Sequence, residues 1–167
     1  MKMEDCIAVV TGGASGLGEA VVRNTVSHGG KAIILDVSEE NGQRLAEELG
    51  DRIIFEKTDV TDEASVERAL KRAVDVFGTV NTVVNCAGVS ISKKTVSGGK
   101  AHDLASFSRV IQINLIGTFN VIRLAAERMI QNAPNPEGER GVVINTASVA
   151  GYEGQIGQAA YSASKAG

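Results

Sequence analysis

The sequence predicts an α/β fold in which a parallel β-sheet is covered by helices on both faces. Short runs of aliphatic and β-branched residues alternate along the chain with amphipathic stretches of helical length. Within each run almost every position is apolar, which is typical of strands that are buried on both faces of a sheet. A glycine-rich turn follows the first run. This alternation, over 167 residues, is that of one domain with its own core.

Each element has a local signal. The strands are apolar and β-rich, and they are predicted at 6–10, 31–36, 52–60, 79–85 and 141–148. The helices have amphipathic spacing, and they are predicted at 18–29, 38–49, 61–77 and 104–131, with another around 161–165. Ser38 is expected to cap the second helix, and Gly50 and Gly78 to end the second and third. A polar insert at 92–103 and a loop containing both prolines complete the chain.

Composition excludes several classes of protein. The formal net charge is -3, which gives no basic footprint for nucleic acid. No apolar run approaches the ~20 residues of a membrane span. The first residues resemble neither a signal peptide nor a transit peptide. Cys6 and Cys86 are the only cysteines and lack metal-ligand spacing, so a reducing, cytoplasmic location without a metal site is expected, or the mitochondrial matrix in a eukaryote.

The turn after the first strand has the composition of a phosphate-binding loop. It reads TGGASGLG from Thr11 to Gly18, with the glycine spacing G-x-x-x-G-x-G. Glycines allow a tight turn and the close approach of a pyrophosphate to a helix N-terminus, whose free N–H groups favour anions. A plain structural turn is the alternative. Asp36 ends the second strand, where a carboxylate would bind the ribose hydroxyls of a dinucleotide, although it could instead cap the next helix.

These residues also predict which dinucleotide binds. A carboxylate at Asp36 would repel a 2′-phosphate, and no Arg or Lys stands beside it in the sequence, which favours NAD over NADP. Asp59 and Val60 follow the third strand, where the carboxylate and a backbone N–H could hold the adenine. A helix cap is the alternative for Asp59. A Rossmann-type doubly wound sheet is therefore expected, with its ligand at the carboxyl ends of the strands.

The end of the chain carries a second constellation. Tyr161 and Lys165 are four residues apart, one turn of a helix, and an ammonium so close to a tyrosine favours its phenolate. Ser148 follows the fifth strand and could bond a substrate oxygen. Asn114 lies within the long helix, where Asn is a mediocre helix former that could hold a water or loosen the helix. The alternatives are a surface Tyr-Lys pair, a turn serine and a solvated asparagine.

Taken together, these motifs resemble the short-chain dehydrogenase/reductase family. TGGASGLG matches its T-G-x-x-x-G-x-G, NCAG at 85–88 resembles its N-N-A-G, and YSASK is its Y-x-x-x-K. The family's helix Asn and strand-end Ser correspond to Asn114 and Ser148. The match spans 7–165. It implies a nicotinamide cofactor that carries the hydride while the protein supplies position and electrostatics.

The resemblance assigns roles residue by residue. Tyr161 would be the general acid/base, Lys165 would stabilise its phenolate and bond the nicotinamide ribose, and Ser148 would polarise the substrate oxygen. Asn114 would support a water-linked proton relay. The substrate would also touch Gln155 and Gln158. The cofactor-binding residues would be Gly12, Ser15, Gly16, Leu17, Gly18, Asp36, Asp59, Val60, Asn85, Cys86, Ala87, Gly88, Tyr161 and Lys165.

Within the family, the insert at 92–103 and the segments around Asn114 and Tyr161 are most similar to members that interconvert (3S)-hydroxyacyl-CoA and 3-oxoacyl-CoA with NAD. An acyl-CoA substrate and a homotetramer are implied, and Lys93, Lys94, Lys100 and His102 could meet the CoA phosphates. The alternatives are a 3-oxoacyl-[acyl-carrier-protein] reductase, another secondary-alcohol or steroid dehydrogenase, and a non-catalytic NAD-binding scaffold. A scaffold should have lost one of the motif residues, and none is lost.

Family members are longer than this chain. The resemblance therefore implies a single dinucleotide-binding domain, 1–167, whose C-terminal part is absent. On that expectation the bare polypeptide would fold poorly and show no turnover, because a sheet stripped of its far edge exposes apolar surface.

Overall fold

A computed structural model describes all residues, 1–167. The strands are β1 (Ile7–Thr11), β2 (Lys31–Asp36), β3 (Ile53–Lys57), β4 (Thr82–Asn85), β5 (Val96–Ser97), β6 (Lys100–Ala101) and β7 (Val142–Asn145). The α-helices are α1 (Gly16–Ser27), α2 (Glu39–Leu49), α3 (Glu63–Phe77), α4 (Leu104–Ile111), α5 (Thr118–Met129) and α6 (Ala159–Ala166). A π-helical turn, Gln112–Gly117, joins α4 to α5, and short 3₁₀ turns lie at Met3–Asp5, Gly50–Arg52 and Val149–Gly151.

Five strands form one parallel sheet in the order β3-β2-β1-β4-β7. The chain starts at the centre of the sheet, winds outward to β3, and then returns to build β4 and β7 on the other side. The switch in direction falls between β1 and β4, which pair in register from Ala8 opposite Thr82 to Thr11 opposite Asn85. This is the predicted Rossmann-type doubly wound sheet, and its ligand crevice is expected at that switch point.

Two separate cores cover the two faces of the sheet. Because side chains alternate along a strand, Val9, Ile33 and Val83 pack with α3 and α5, whereas Val10 and Ile34 pack with α1 and α2. The interior strand β2 is buried at its four middle positions. β7 is different, because as the edge strand it leaves Val142 and Ile144 exposed.

Most predicted elements form, but strands β3, β4 and β7 are shorter than predicted. The predicted end of the fifth strand is wrong, because β7 stops at Asn145 and Ser148 lies three residues beyond it, as the N-cap of a 3₁₀ turn. Ser38 does occupy the N-cap position of α2, but its hydroxyl makes no capping hydrogen bond. Gly50 and Gly78 end α2 and α3 at positive φ, as predicted.

The long helix predicted at 104–131 is interrupted by the π-helical turn. Gln112–Gly117 form one wide turn, and Asn114 lies inside it. Gly117 makes the turn's packing possible, since a Cβ at that position would lie 2.6 Å from Cγ2 of Val60. The expectation that Asn114 loosens the helix locally is therefore confirmed.

The polar insert is a small β-hairpin rather than an irregular loop. β5 and β6 pair antiparallel across Gly98 and Gly99, both at positive φ. Lys93 closes the base of the hairpin, because its ammonium lies 2.5 Å from a carboxylate oxygen of Asp103 and also donates to the hydroxyl of Ser106. The other oxygen of Asp103 accepts from the Ser106 N–H at 2.8 Å and so caps α4.

None of the helices has the length and apolar character that a membrane span needs.

The ion pair at the base of the hairpin has a testable dependence on pH. The Lys93 ammonium and the Ser106 contacts hold the pKa of the Asp103 carboxyl well below its usual value. A lowered pKa in the folded state stabilises the fold above the ordinary value of 3.8, and this contribution is lost as the pH falls below it. Asp103→Asn keeps a capping oxygen but removes the charge. We expect Asp103→Asn to lower the melting temperature at pH 7 and the difference from the unchanged protein to narrow below about pH 4.

Lys93→Met is the matched control, since it removes the same pair from the other side. Lys93→Met should lower the melting temperature at pH 7 by about as much as Asp103→Asn does. The double variant should lower the melting temperature little more than either single variant. Fully additive losses would show that the pair contributes nothing.

Candidate active site

A cavity of about 520 Å³ opens at the carboxyl ends of the central strands. It lies at the switch point between β1 and β4 and is bounded on one side by α4 and the π-helical turn. Its lining residues are Gly12, Ser15, Gly16, Leu17, Gly18, Leu35, Asp36, Val37, Thr58, Asp59, Val60, Cys86, Ala87, Gly88, Val89, Arg109 and Ile113. Most of the residues predicted to bind the cofactor thus line a single cavity.

The glycine-rich turn is as tight as its sequence predicts. Gly12 has a φ of 63°, and a Cβ there would lie 2.9 Å from the backbone of Ala87. Gly18 packs its backbone directly onto the carbonyl of Gly12, so a side chain at Gly18 would collide with the turn. Gly16 also has positive φ, but the space beside it is open. At these glycines the turn therefore presents main chain rather than side chains to the cavity. Its close packing against Ala87 and Gly18 fixes its conformation.

The N-terminus of α1 points into this cavity with its donors uncapped. Ser15 is the N-cap residue, yet its exposed hydroxyl makes no hydrogen bond to the first turn. The one acid of that turn, Glu19, pairs with Arg23 at 2.9 Å. The positive end of the helix therefore has no protein anion of its own, which suits an anionic ligand.

Asp36 lines the cavity, and its carboxylate also bonds the start of the next helix, which was the alternative expected for it. One carboxylate oxygen accepts from the Ser38 N–H at 2.9 Å, and the other accepts from the Ala14 N–H at 3.1 Å. The carboxylate thus joins the end of β2 to the glycine-rich turn. A carboxylate has about four lone-pair sites, so it retains acceptors for hydroxyl groups in the cavity.

Asp59 and Val60 form the floor at the other end of the cavity. One oxygen of Asp59 accepts from the N–H and the hydroxyl of Thr61, at 2.9 and 2.7 Å, which is the local turn that a helix-start reading predicts. Val60 is buried, and its carbonyl accepts from the side chain of Asn120 at 2.9 Å. This end of the cavity combines a carboxylate with the apolar side chains of Val37, Val60 and Ile113.

Thr11 connects the two halves of the cavity. Its buried hydroxyl accepts from the N–H groups of Cys86 and Ala87, both at 3.1 Å. The loop after β4 is thereby fixed against the glycine-rich turn. Cys86 faces the cavity, and its sulfur accepts from the hydroxyl of Thr146. Asn85 lies behind the cavity rather than on its wall, where its amide bonds Asn145 at 2.9 Å and ties β4 to β7.

Tyr161 and Lys165 lie on one face of α6, as predicted. The Lys165 ammonium is 5.9 Å from the centroid of the Tyr161 ring and donates to the carbonyl of Thr146 at 2.7 Å. α6 packs closely on the 3₁₀ turn that follows Ser148, since a Cβ at Gly151 would lie 2.9 Å from the carbonyl of Lys165. The tyrosine is half-buried at the same edge of the sheet as the cavity.

Asn114 anchors α6 through a chain of buried hydrogen bonds. Its amide oxygen accepts from Val89 N–H at 2.8 Å, and its nitrogen donates to the Val89 carbonyl and to the Ser164 hydroxyl. Ser164 in turn donates to the carbonyl of Tyr161 at 2.7 Å. Both amide hydrogens of Asn114 are used, so its side chain positions other groups. Its main-chain carbonyl accepts from the Thr118 hydroxyl at 2.8 Å.

The remaining predicted residues lie near this helix, and the Gln158 N–H donates to the Gln155 carbonyl at 3.0 Å. The Ser148 hydroxyl accepts from the Ala150 N–H at 3.2 Å and is not bonded to Tyr161. Gln158 is the N-cap residue of α6, and Gln155 is exposed on the segment before it. That segment is held to the insert by a bond from the Lys93 N–H to the Gly157 carbonyl, at 2.9 Å.

Sequence reasoning missed four residues that build the site. Thr11, Thr146 and Ser164 lie within the motifs, but their importance comes from bonds to distant backbone, which spacing does not show. Arg109 places a cation on the wall of the cavity that also holds Asp36. It was missed because cations were sought only next to Asp36 in the sequence. The amphipathic spacing of Arg109 and Ile113, one turn apart, is the signal that could have found it.

A larger, shallow groove of about 770 Å³ lies elsewhere, between α2 and the edge strand β3. Most of its lining residues are charged or polar, and it contains none of the predicted site residues. It runs along β3 and α2, outside the switch point where a doubly wound sheet binds its ligand. The cavity at the switch point is therefore the candidate active site.

Comparison with known proteins gives one family for nearly the whole chain. A family model described as short chain dehydrogenase matches residues 6–167. The 3-hydroxyacyl-CoA dehydrogenase type-2 of Homo sapiens is 52% identical over 168 residues, which cover 99% of this chain. The protein of the same name from Drosophila melanogaster is 51% identical and covers 98% of the chain.

The fold is also similar to that of a solved relative. The crystal structure of 3-hydroxyacyl-CoA dehydrogenase type-2 from Mycobacterium avium superposes with a TM-score of 0.93 at 43% identity, covering 98% of this chain. The chain spans 64% and 65% of the length of the human and fly relatives, and 65% of the solved chain.

The bond network around Thr11 can be tested by a nearly isosteric change. Thr11→Val should lower the free energy of unfolding by about 1–3 kcal/mol, because the half-buried Ala87 N–H loses its acceptor. Thr11→Ser keeps the hydroxyl and should lose clearly less. Urea denaturation of the two variants measures the difference. Little loss in Thr11→Val, beside a larger loss in Thr11→Ser, would show that the methyl group, and not the hydrogen bonds, stabilises this junction.

Proposed function

The chain belongs to the short chain dehydrogenase family, and we propose that the protein catalyses the reversible, NAD-linked oxidation of a (3S)-hydroxyacyl-CoA to the 3-oxoacyl-CoA. The observation that carries this proposal is that the Tyr161–Lys165 pair lies at the same edge of the sheet as the cavity lined by the glycine-rich turn and Asp36. The choice of substrate rests on the relatives named 3-hydroxyacyl-CoA dehydrogenase type-2, at 51–52% identity. The homotetramer and the cytoplasmic location stay predictions.

The cavity fits a dinucleotide on three counts. Bare glycine backbone and the uncapped start of α1 suit a pyrophosphate, and the free hydroxyl of Ser15 adds a donor. Asp36 stands at the end of β2 with acceptors for ribose hydroxyls. The apolar end beside Val60 suits an adenine. The carboxylate of Asp36 would repel a 2′-phosphate, which supports NAD rather than NADP and argues against an NADP-linked carrier-protein reductase.

The proposed chemistry divides between cofactor and protein. A bound nicotinamide would accept the hydride from the alcohol carbon, or return it to the ketone. Tyr161 would take the hydroxyl proton in oxidation and give it back in reduction. The ammonium of Lys165 lies 5.9 Å from the centroid of that tyrosine ring. One Lys165 donor is used on the Thr146 carbonyl, and the others remain for a ribose hydroxyl.

Ser148 and Asn114 would act around this proton transfer. Ser148 would donate its hydroxyl hydrogen to the substrate oxygen, since its own lone pair already accepts from Ala150. The side chain of Asn114 is fully engaged, so a water-linked relay through this residue would use its main-chain carbonyl inside the π-helical turn. That carbonyl already accepts from the Thr118 hydroxyl and has a second lone pair for a water. Wide helical turns of this kind occur often at functional sites.

The hairpin insert supports an acyl-CoA substrate, with one change from the prediction. Lys93 is already paired with Asp103 and would not meet a phosphate. Lys94, Lys100 and His102 line a polar cavity of about 450 Å³ on the hairpin, and the buried Nε2 of His102 has no hydrogen-bond partner. These three residues are the ones we propose for the CoA phosphates.

The role of the tyrosine gives the first test of the proposal. In the full-length protein, Tyr161→Phe should lower kcat for reduction of acetoacetyl-CoA by at least about 10²-fold, because the general acid is lost. NADH binding should be nearly unchanged. Tyr152→Phe is the matched control, since Tyr152 is exposed and should leave kcat unchanged. The absorbance of NADH follows the reaction. Turnover that survives Tyr161→Phe would refute the assigned proton donor.

Cofactor choice gives the second test. Asp36→Asn keeps a side-chain oxygen for one of the two N–H donors, Ser38 or Ala14, and removes the negative charge. We expect the preference for NADH over NADPH, measured as the ratio of kcat/KM values, to fall by about tenfold or more, because the repulsion of a 2′-phosphate is lost. An unchanged ratio would mean that Asp36 does not face the adenosine ribose.

A further inference from the structure

We propose that Arg109 binds the adenine of the cofactor by laying its guanidinium on the face of the ring. This inference rests on the proposed NAD site. Arg109 and Arg68 are the arginines whose guanidinium groups form neither an ion pair nor a hydrogen bond in the structure. Both side chains are exposed, but Arg68 lies on α3 whereas Arg109 lines the 520 Å³ cavity. An arginine without a protein partner on the wall of a ligand cavity is a candidate for contact with the ligand. Arg68 does not line this cavity.

The position of Arg109 is set by the helix that carries it. Ile113, one turn later, packs on the core cluster that contains Val60 and also lines the cavity. Further along, Gly117 packs against Val60, and Asn120 donates to the Val60 carbonyl. This run of helix therefore lies along the segment that follows β3. Arg109 extends one turn farther out on the face shared with Ile113.

The charges around Arg109 support a contact with a neutral ring. Asp36 and Asp59 line the same cavity, and each carboxylate accepts from neighbouring N–H groups but forms no ion pair with Arg109. The guanidinium thus stays available in a cavity whose only other charged groups are these two acids. A carboxylate at the ribose excludes a phosphate there, which leaves the adenine as the partner at this end.

The chemistry of the guanidinium fits that partner. It is planar and weakly hydrated, and it stacks on aromatic faces in a way that an ammonium group does not. The apolar side chains of Val37, Val60 and Ile113 would surround the ring edges. Arg109 would then close the adenine slot from the solvent side. It would raise affinity for the whole cofactor without touching the reacting atoms.

The test compares three variants in the intact protein. Arg109→Met should weaken NADH binding, measured by NADH fluorescence, by about three- to tenfold. Arg109→Lys should be weakened to nearly the same extent, because it keeps the charge and loses the plane. Arg68→Met removes an equally exposed charge and should bind NADH normally. ADP-ribose, which carries the adenine, should lose affinity in parallel, and nicotinamide mononucleotide should not.

Each other outcome overturns the contact. Full rescue by lysine would indicate a simple ionic contact with a phosphate. A larger loss for NADPH than for NADH would place the guanidinium on the 2′-phosphate instead. Unchanged affinity in Arg109→Met would make Arg109 a solvated surface residue. If the unchanged protein binds no NADH, the proposed cofactor itself is wrong, which is a different failure from loss of this contact alone.

Discussion

The bonds from Cys86 and Ala87 to the hydroxyl of Thr11 are the interaction on which the rest of the site depends. They hold the loop after β4 against the turn after β1, at the one place where the winding of the sheet reverses. Gly12 must be a glycine because that loop lies so close. The crevice between the two halves thus exists because a parallel sheet changes direction and a buried hydroxyl fixes the two loops across the gap.

The second half of the site is assembled on that foundation by polar groups that face inward. Val89, just beyond the same loop, bonds both ends of the Asn114 amide, and Asn114 passes the restraint through Ser164 to the backbone of Tyr161. Lys165 is held independently by the end of β7. The tyrosine and lysine of α6 are therefore positioned from two directions. Such fully paired buried networks favour one arrangement, since each unpaired group would be costly.

The sequence predicted what local pattern can specify. Strands β1, β2 and β4 are apolar on both faces, and the glycine-rich turn and Asp36 fall at their ends, so the sheet and its ligand edge followed from spacing. Three features did not. The hairpin at 96–101 is exposed and polar, so it has no hydrophobic period. The end of β7 before Ser148 depends on pairing with β4. The contribution of Arg109 depends on which helix face meets the cavity, and only the tertiary packing decides that.

The π-helical turn has a consequence for how α4 and α5 could change. The two helices are continuous except that Gln112–Gly117 accommodates one residue more than a regular helix would. Each residue of an α-helix advances about 100° around the axis. If one residue of the turn were deleted, a straight helix would result, with Arg109 and Ile113 rotated by that angle relative to Val121 and Leu124. Arg109 and Ile113 could then face the cavity only if Val121 and Leu124 turned away from the core. The wide turn is thus a phase shift that lets a single helix serve the cavity with one end and the core with the other.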